Sequence, residues 1–316
     1  MFSISSQPMR NRLKKYFGAL RKFYFLIAIL YVAIVVSNNQ PNLGALKLEI
    51  KALSIHTLSI AIAMVFLSYV VRSIRWLNYI RVKDPYHHWS RHFLIYLSGF
   101  AFTASPAKTG ELMRGLYLYK LGVNFRFTVC SFFSERLLDL LVVSCLASYF
   151  LTIYLSSLFT LVPVIALLII ATTPVILSYL SEKSYRASIK KFVIDLTELW
   201  HSNSVIKSIF LTFIAWALQG AVLYLLLLHT GISISPLLAI SIYSVSLLIG
   251  AISLIPGGIG ITEITMAWLL TQMSVSYEAS VVIALLTRAM TLWPAIAIGL
   301  LSCMTINRVS PPPRGH

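Results

Sequence analysis

"SLIPGGIGITEITMAWLL", residues 253–270, is as apolar as a membrane-crossing helix, yet it carries the means to break one. Pro256 removes a backbone donor. Gly257, Gly258 and Gly260 permit backbone angles that other residues avoid, and one carboxylate, Glu263, follows the break. Irregular backbone at membrane depth leaves N–H and C=O groups unpaired. It is tolerated only where protein buries it or where it lines a wet cavity. The stretch therefore reads as a purposeful interruption of a membrane segment.

The rest of the chain agrees with a membrane setting. Of 316 residues, 58% are hydrophobic and only 11% charged, against about 25% charged in a soluble domain. Apolar stretches at 55–80, 128–154, 158–180, 208–229 and 280–304 each reach the roughly 20 residues that cross a bilayer as a helix. A shorter one runs over 20–36. The basic segment before it is not followed by a small-residue cleavage pattern, so it reads as a retained first helix and not as a secretion signal. The net charge of +16 sits mostly at the ends of the apolar stretches. That placement suits anionic lipid headgroups rather than nucleic acid. Cys130, Cys145 and Cys303 lie inside apolar stretches and show neither a disulfide framework nor metal spacing. His87, His88 and His92 read as part of a headgroup-level loop rather than a metal site.

Basic residues give an orientation. Arg10, Arg12, Lys14, Lys15, Arg21 and Lys22 place residues 1–19 in the cytoplasm, and only Lys47 and Lys51 of the 26 basic residues fall in loops assigned outside. The run 72–92 and the loop 181–207 are basic and face in. On this reading Arg72 and Arg75 snorkel to the interface, with Trp76, Tyr79, Tyr86 and Trp89 as an aromatic belt. Within 182–202, Tyr185, Ile189, Phe192, Val193, Leu196 and Leu199 recur at helical spacing, as in an amphipathic helix on the inner leaflet. Two pairs of short segments, 93–121 and 237–273, do not cross and read as re-entrant hairpins entered from opposite faces. The second segment of the first pair is expected as a helix over 111–121. The architecture expected is an all-α integral membrane protein with about six full transmembrane helices and two re-entrant hairpins in an inverted repeat. A single domain spans 20–305, and the tail 306–316 is cytoplasmic.

The repeat rests on matched spacings. Pro106 to Gly110 and Pro256 to Gly260 are both four residues; Glu111 to Arg136 and Glu263 to Arg288 are both 25. Paired, Gly/Pro-interrupted apolar segments are the best sequence pointer to a transporter binding site, and a helix starting after a break is a natural anion site. Ionisable groups at membrane depth cost at least about 2.5–3.5 kcal/mol each on insertion scales and are functional candidates by default. The candidates are Lys108, Gly110, Glu111, Arg114, Glu135, Arg136, Asp139, Gly257, Gly258, Gly260, Glu263 and Arg288. Glu135 and Asp139 share a helix face and require a cation from among Arg288, Lys108 and Arg114; Glu111 and Arg114, three apart, can pair. The charges can pin the hairpins together, bind a phosphate, or both.

"SPAKTGELMRG", "SERLLDLL", "IPGGIGITE" and "LLTRAMTLWPAIAIGLL" together resemble the transmembrane, flippase-like domain of the lysylphosphatidylglycerol synthase family. The resemblance implies a membrane protein that translocates lipids with aminoacylated, glycosylated or otherwise modified headgroups, polyprenyl phosphates included, between leaflets. Full-length synthases add a soluble aminoacyl-transferase domain that this sequence lacks, so a stand-alone member is expected. The expected role is transport of an anionic or modified lipid in the plasma (inner) membrane, without cofactor or metal. No nucleotide-binding G-x-x-x-x-G-K-[ST] motif is present. The alternatives are a membrane enzyme acting on lipid-phosphate headgroups, or a non-catalytic subunit for a separate lipid-modifying enzyme. Homo-oligomers are compatible with either.

Overall fold

The structure is a computed structural model. It describes residues 54–309 except 82, 84–87, 184–186, 201 and 230. The expected first helix at 20–36, the N-terminal segment, the tail from 310, and Tyr86, His87 and Tyr185 lie outside the described residues. Eleven helices are described: α1 Ile55–Ile80, α2 Trp89–Gly99, α3 Arg114–Tyr119, α4 Phe125–Tyr154, α5 Leu161–Lys183, α6 Ala187–Leu199, α7 Ser202–His229, α8 Pro236–Ile252, α9 Ile261–Gln272, α10 Tyr277–Thr291 and α11 Trp293–Val309. Short 3₁₀ turns intervene at Phe100–Phe102, Pro106–Met113, Ser157–Thr160 and Pro256–Gly258. No strand occurs among the described residues.

Side-chain caps set several helix starts. Ser54 accepts from the His56 and Thr57 N–H groups at the head of α1, Asn124 from Arg126 at α4, and Ser235 from Leu238 at α8. Five stretches are long and apolar enough to cross a membrane: Ile55–Ile80, Phe125–Tyr154, Ser157–Lys183, Ser204–His229 and Tyr277–Ile306. The protein is an all-α membrane protein. α5 shows why: Leu161, Val164, Leu167, Leu168, Val175 and Ile176 are all exposed, an apolar surface that lipid satisfies and water does not.

Two expectations are corrected. The helix expected over 111–121 is a run of 3₁₀ turns through Met113, and α-helix begins only at Arg114. Pro106 opens the run and Lys108 takes φ +57°, a left-handed angle that α-helix does not accommodate. The last stretch, expected to be unbroken over 280–304, bends at Leu292 between α10 and α11. Pro294 has no N–H to continue the ladder from α10.

The core is built by α1 against α7, α4 against α8, α9 against α10, and α11 against α2 with Phe100–Phe102. The last crossing is tight. A Cβ on Gly299 would stand 2.0 Å from the Ala101 backbone nitrogen and 2.6 Å from the Phe100 carbonyl carbon. Only glycine fits there.

α6 is helical as expected, but part of its apolar face is turned inward. Val193 and Leu199 are buried, while Ile189 and Ile194 remain exposed. Asp195 of α6 is buried and takes Arg126 Nε at 2.6 Å and Lys83 Nζ at 3.2 Å. Lys83 also reaches Glu198 at 2.5 Å. Burial works against the Lys83 charge, but its hydrogen bonds to Glu198 and Asp195 outweigh it and raise its pKa above the ordinary 10.5. A raised lysine pKa means that this contribution is fully present below the ordinary value. It fades only as pH rises through the raised one.

Gly299→Ala is expected to destabilise the protein by about 1–3 kcal/mol or more through overpacking, whereas exposed Leu301→Ala stays within about 0.5 kcal/mol; thermal unfolding in detergent distinguishes them. Asp195→Ala removes the anchor of α6, and faster amide exchange across Ala187–Leu199, with α1 and α4 unchanged, is the expected signature.

Candidate functional site

Two polar stripes meet inside the bundle. On α1 they are Ser68, Arg72 and Arg75; on α7, Gln219, Trp216 and Thr212. Each set recurs at three- and four-residue steps and so lines one helix face. Gln219 Nε2 donates to Ser68 Oγ at 3.2 Å, Arg72 Nη2 to Gln219 Oε1 at 3.3 Å, and Arg75 Nη1 to Thr212 Oγ1 at 2.6 Å. Numbers rise on α1 as they fall on α7, so the helices run antiparallel.

α4 brings the carboxylates to this seam. Arg75 Nη1 lies 2.8 Å from Asp139 Oδ1, and its Nη2 lies 3.9 Å from Glu135 Oε1. Trp216 Nε1 donates to Asp139 Oδ1 at 3.2 Å. Arg114, at the start of α3, pairs with Glu135 Oε2; its guanidinium lies 4.2 Å from the Trp76 ring centroid, a cation–π contact. Arg136 joins Asp139 Oδ2 at 3.0 Å to Glu111 Oε2 at 3.5 Å, and Glu111 Oε1 accepts from Thr103 at 2.8 Å. Arg75 and Glu135 are wholly buried. Charges so far from water persist only when paired and hydrogen-bonded.

The second break builds its own pair. Glu263 Oε1 receives Arg288 Nε at 3.0 Å, and Glu263 Oε2 accepts the Gly260 N–H at 2.7 Å. Arg288 Nη2 donates to the Gly257 carbonyl at 2.6 Å. Gly257, Gly258 and Gly260 all have positive φ, between 64 and 87°, which explains three glycines in four residues. Glu263 thus stands in the first turn of α9, where a carboxylate complements the helix dipole. It occupies a donor that the sequence reading left open for a ligand. The two breaks touch: a Cβ on Gly257 would lie 3.4 Å from the Ala104 side chain. Gly110, in the first break, donates its N–H to Ser105 Oγ at 2.7 Å.

Several expectations change. Arg72 and Arg75 do not snorkel; both are buried, as are Trp76 and Tyr79, leaving Trp89 exposed. Arg288 serves Glu263, not Glu135 or Asp139. Glu111 and Arg114 do not pair with one another: each finds its partner on α4, Glu111 in Arg136 and Arg114 in Glu135. Among the described residues Lys108 makes no ion pair, and its Nζ lies 5.3 Å from the Trp216 ring centroid. The matched spacing, by contrast, has a physical counterpart. Glu111–Arg136 and Glu263–Arg288 are both ion pairs across 25 residues. Sequence reasoning missed Arg72, Arg75, Thr212, Trp216 and Gln219 as partners; the stripe spacing on α1 and α7 was the available signal.

Residues 23–299 match the family described as "Lysylphosphatidylglycerol synthase TM region". The chain belongs to that family. It is also 26% identical over 224 residues to a UPF0104 membrane protein of Methanocaldococcus jannaschii, an overlap covering 64% of this chain and 92% of that protein. Membership in this family, with several apolar helices, makes the chain a multi-pass membrane protein.

Arg75→Met should cost about 1–3 kcal/mol, because it removes one cation from buried Asp139 and Glu135 and leaves them to Arg136 and Arg114 alone. Arg75→Met/Asp139→Leu should lose less than Arg75→Met alone, since Arg136 keeps Glu111. Unfolding of both variants in detergent tests this.

Proposed function

We propose that this protein moves a lipid with a phosphate-bearing headgroup between the two leaflets of the membrane. The observation that carries the proposal is the meeting of the two breaks. Each is opened by a proline and each is braced by a Glu–Arg pair of equal sequence separation. The buried charges stand beside their contact. Such interruptions at corresponding positions, in two halves, are where transporters hold substrate. Family membership points the same way.

In this reading the first hairpin, 93–121, enters from the cytoplasmic side and the second, 237–273, from the opposite side. The hairpins form an inverted pair, with both termini cytoplasmic in a plasma (inner) membrane protein. The headgroup passes between the hairpins while its acyl or prenyl chains stay in lipid. Arg136 is the natural point of entry, since a fifth of its side chain is exposed while its carboxylate partners are buried. Glu111, Glu135, Asp139 and Glu263 hold the arginines in place, so charge meets charge without reorganisation.

Reconstitution into liposomes tests the reading. Leaflet exchange of a labelled anionic phospholipid is expected, without any covalent product, and Arg288→Ala or Glu111→Gln should slow it about tenfold or more, as loss of a charged hydrogen bond predicts. A chemically altered headgroup, or no exchange with any lipid tried, would overturn it. Orientation is read separately in a background lacking the three native cysteines. Thr109→Cys and Ile252→Cys, both at exposed positions, should label from opposite sides of the membrane.

A further inference from the structure

The charges around α1, α4 and α7 are not balanced. Three arginines, Arg75, Arg114 and Arg136, share three carboxylates, Glu111, Glu135 and Asp139. Two cations remain, Arg72 and Lys108, and neither has a carboxylate within ion-pair distance among the described residues. Arg72 is buried and, among the described residues, has only the neutral Gln219 as hydrogen-bond acceptor and leaves its Nε without a partner. Lys108 is partly buried, and its side chain makes no hydrogen bond among the described residues. One ring holds both: the Arg72 guanidinium is 4.0 Å and the Lys108 ammonium 5.3 Å from the Trp216 centroid. Both cations stand within 5.3 Å of one ring centroid in a poorly solvated place, where like charges repel and an anion within reach of both is favoured.

The backbone adds an independent sign. Each break has a residue two beyond its proline with left-handed φ. After Pro256 it is Gly258, at +64°; after Pro106 it is Lys108, at +57°. Glycine adopts that angle without penalty, lysine does not. A strained residue retained where glycine would be easier marks a side chain kept for what it does.

We infer that Arg72 and Lys108, on either side of their shared contact with Trp216, form a site for a headgroup carrying close to two negative charges, a phosphomonoester or a diphosphate, and not for an aminoacylated, cationic one. A phosphate monoester carries about −1.5 to −2 at neutral pH, which matches the excess. A lysyl headgroup needs a free carboxylate, and Glu111, Glu135, Asp139 and Glu263 are all engaged by arginine. The inference rests on the transport reading only for the lipid nature of the ligand.

The test is binding to the purified full chain in nanodiscs. The probes are phosphatidic acid as the phosphomonoester, phosphatidylglycerol with one negative charge, lysylphosphatidylglycerol as the cationic lipid, and inorganic pyrophosphate as a lipid-free anion. Phosphatidic acid is expected to bind about tenfold more tightly than phosphatidylglycerol, with lysylphosphatidylglycerol weakest. Lys108→Gly relieves the backbone, so its thermal midpoint should stay or rise while phosphatidic acid binding falls about tenfold. Arg72→Gln should give the same loss independently of the backbone at position 108. Lysylphosphatidylglycerol binding as tightly as phosphatidic acid, or unchanged binding in both variants, overturns the inference. Pyrophosphate displacing phosphatidic acid at equal affinity supports the charge assignment while counting against a lipid ligand. Binding without leaflet exchange supports the site and overturns transport alone.

Discussion

Asp139 is the point on which the interior turns. Its two oxygens take Arg75 from α1, Arg136 from its own helix and the indole N–H of Trp216 from α7. Through Arg136 it reaches Glu111 in the first break, and through Arg75 it reaches Thr212. One carboxylate therefore ties three helices and an irregular segment together. In a hydrocarbon setting no water can replace a lost partner, so the alternatives to this arrangement are all expensive. That exclusivity gives a helix bundle with smooth apolar surfaces a single register.

The same constraint makes the breaks possible. Helix–helix contact between apolar surfaces has little driving force in lipid, and association relies on close packing and on polar contacts. Here both are used. Gly299 lets α11 lie directly on the Phe100–Phe102 backbone, and the ion pairs Glu111–Arg136 and Glu263–Arg288 brace the chain on either side of the point where the breaks touch. The second break satisfies itself locally, since Glu263 accepts the Gly260 N–H and Arg288 donates to the Gly257 carbonyl. The first leaves a lysine in a left-handed conformation over a tryptophan. The two halves share spacing and ion pairing but differ in what they leave unneutralised, and the excess charge lies wholly on one side.

Much of the fold was legible from residue order. The 26-residue apolar run of α1, the long apolar α4, and the glycine-rich second break each announced themselves, because length, periodicity and backbone permissiveness are local properties. The 25-residue Glu–Arg spacing was legible too, and corresponds to real contacts. Only 114–119 of the helix expected over 111–121 is α-helical, because composition there is helix-compatible and nothing local shows that the 3₁₀ run from Pro106 extends through Met113. Arg72 and Arg75 looked interfacial, because position near the end of an apolar run is what snorkelling residues share. Nothing local reveals that α7 lies beside them with acceptors at matching heights.

Sequence alone determined that the chain is an all-α membrane protein and that its apolar segments are interrupted at Pro106 and Pro256. Those follow from the cost of unpaired backbone and of ions in hydrocarbon, which any residue order must obey. Tertiary structure decided the pairing: Arg75 with Asp139, Arg114 with Glu135, Arg136 with both Glu111 and Asp139, and Arg72 with Lys108 left over a shared tryptophan. A guanidinium acts on a carboxylate over a few ångströms, and which groups come that close depends on how helices far apart in sequence are laid side by side.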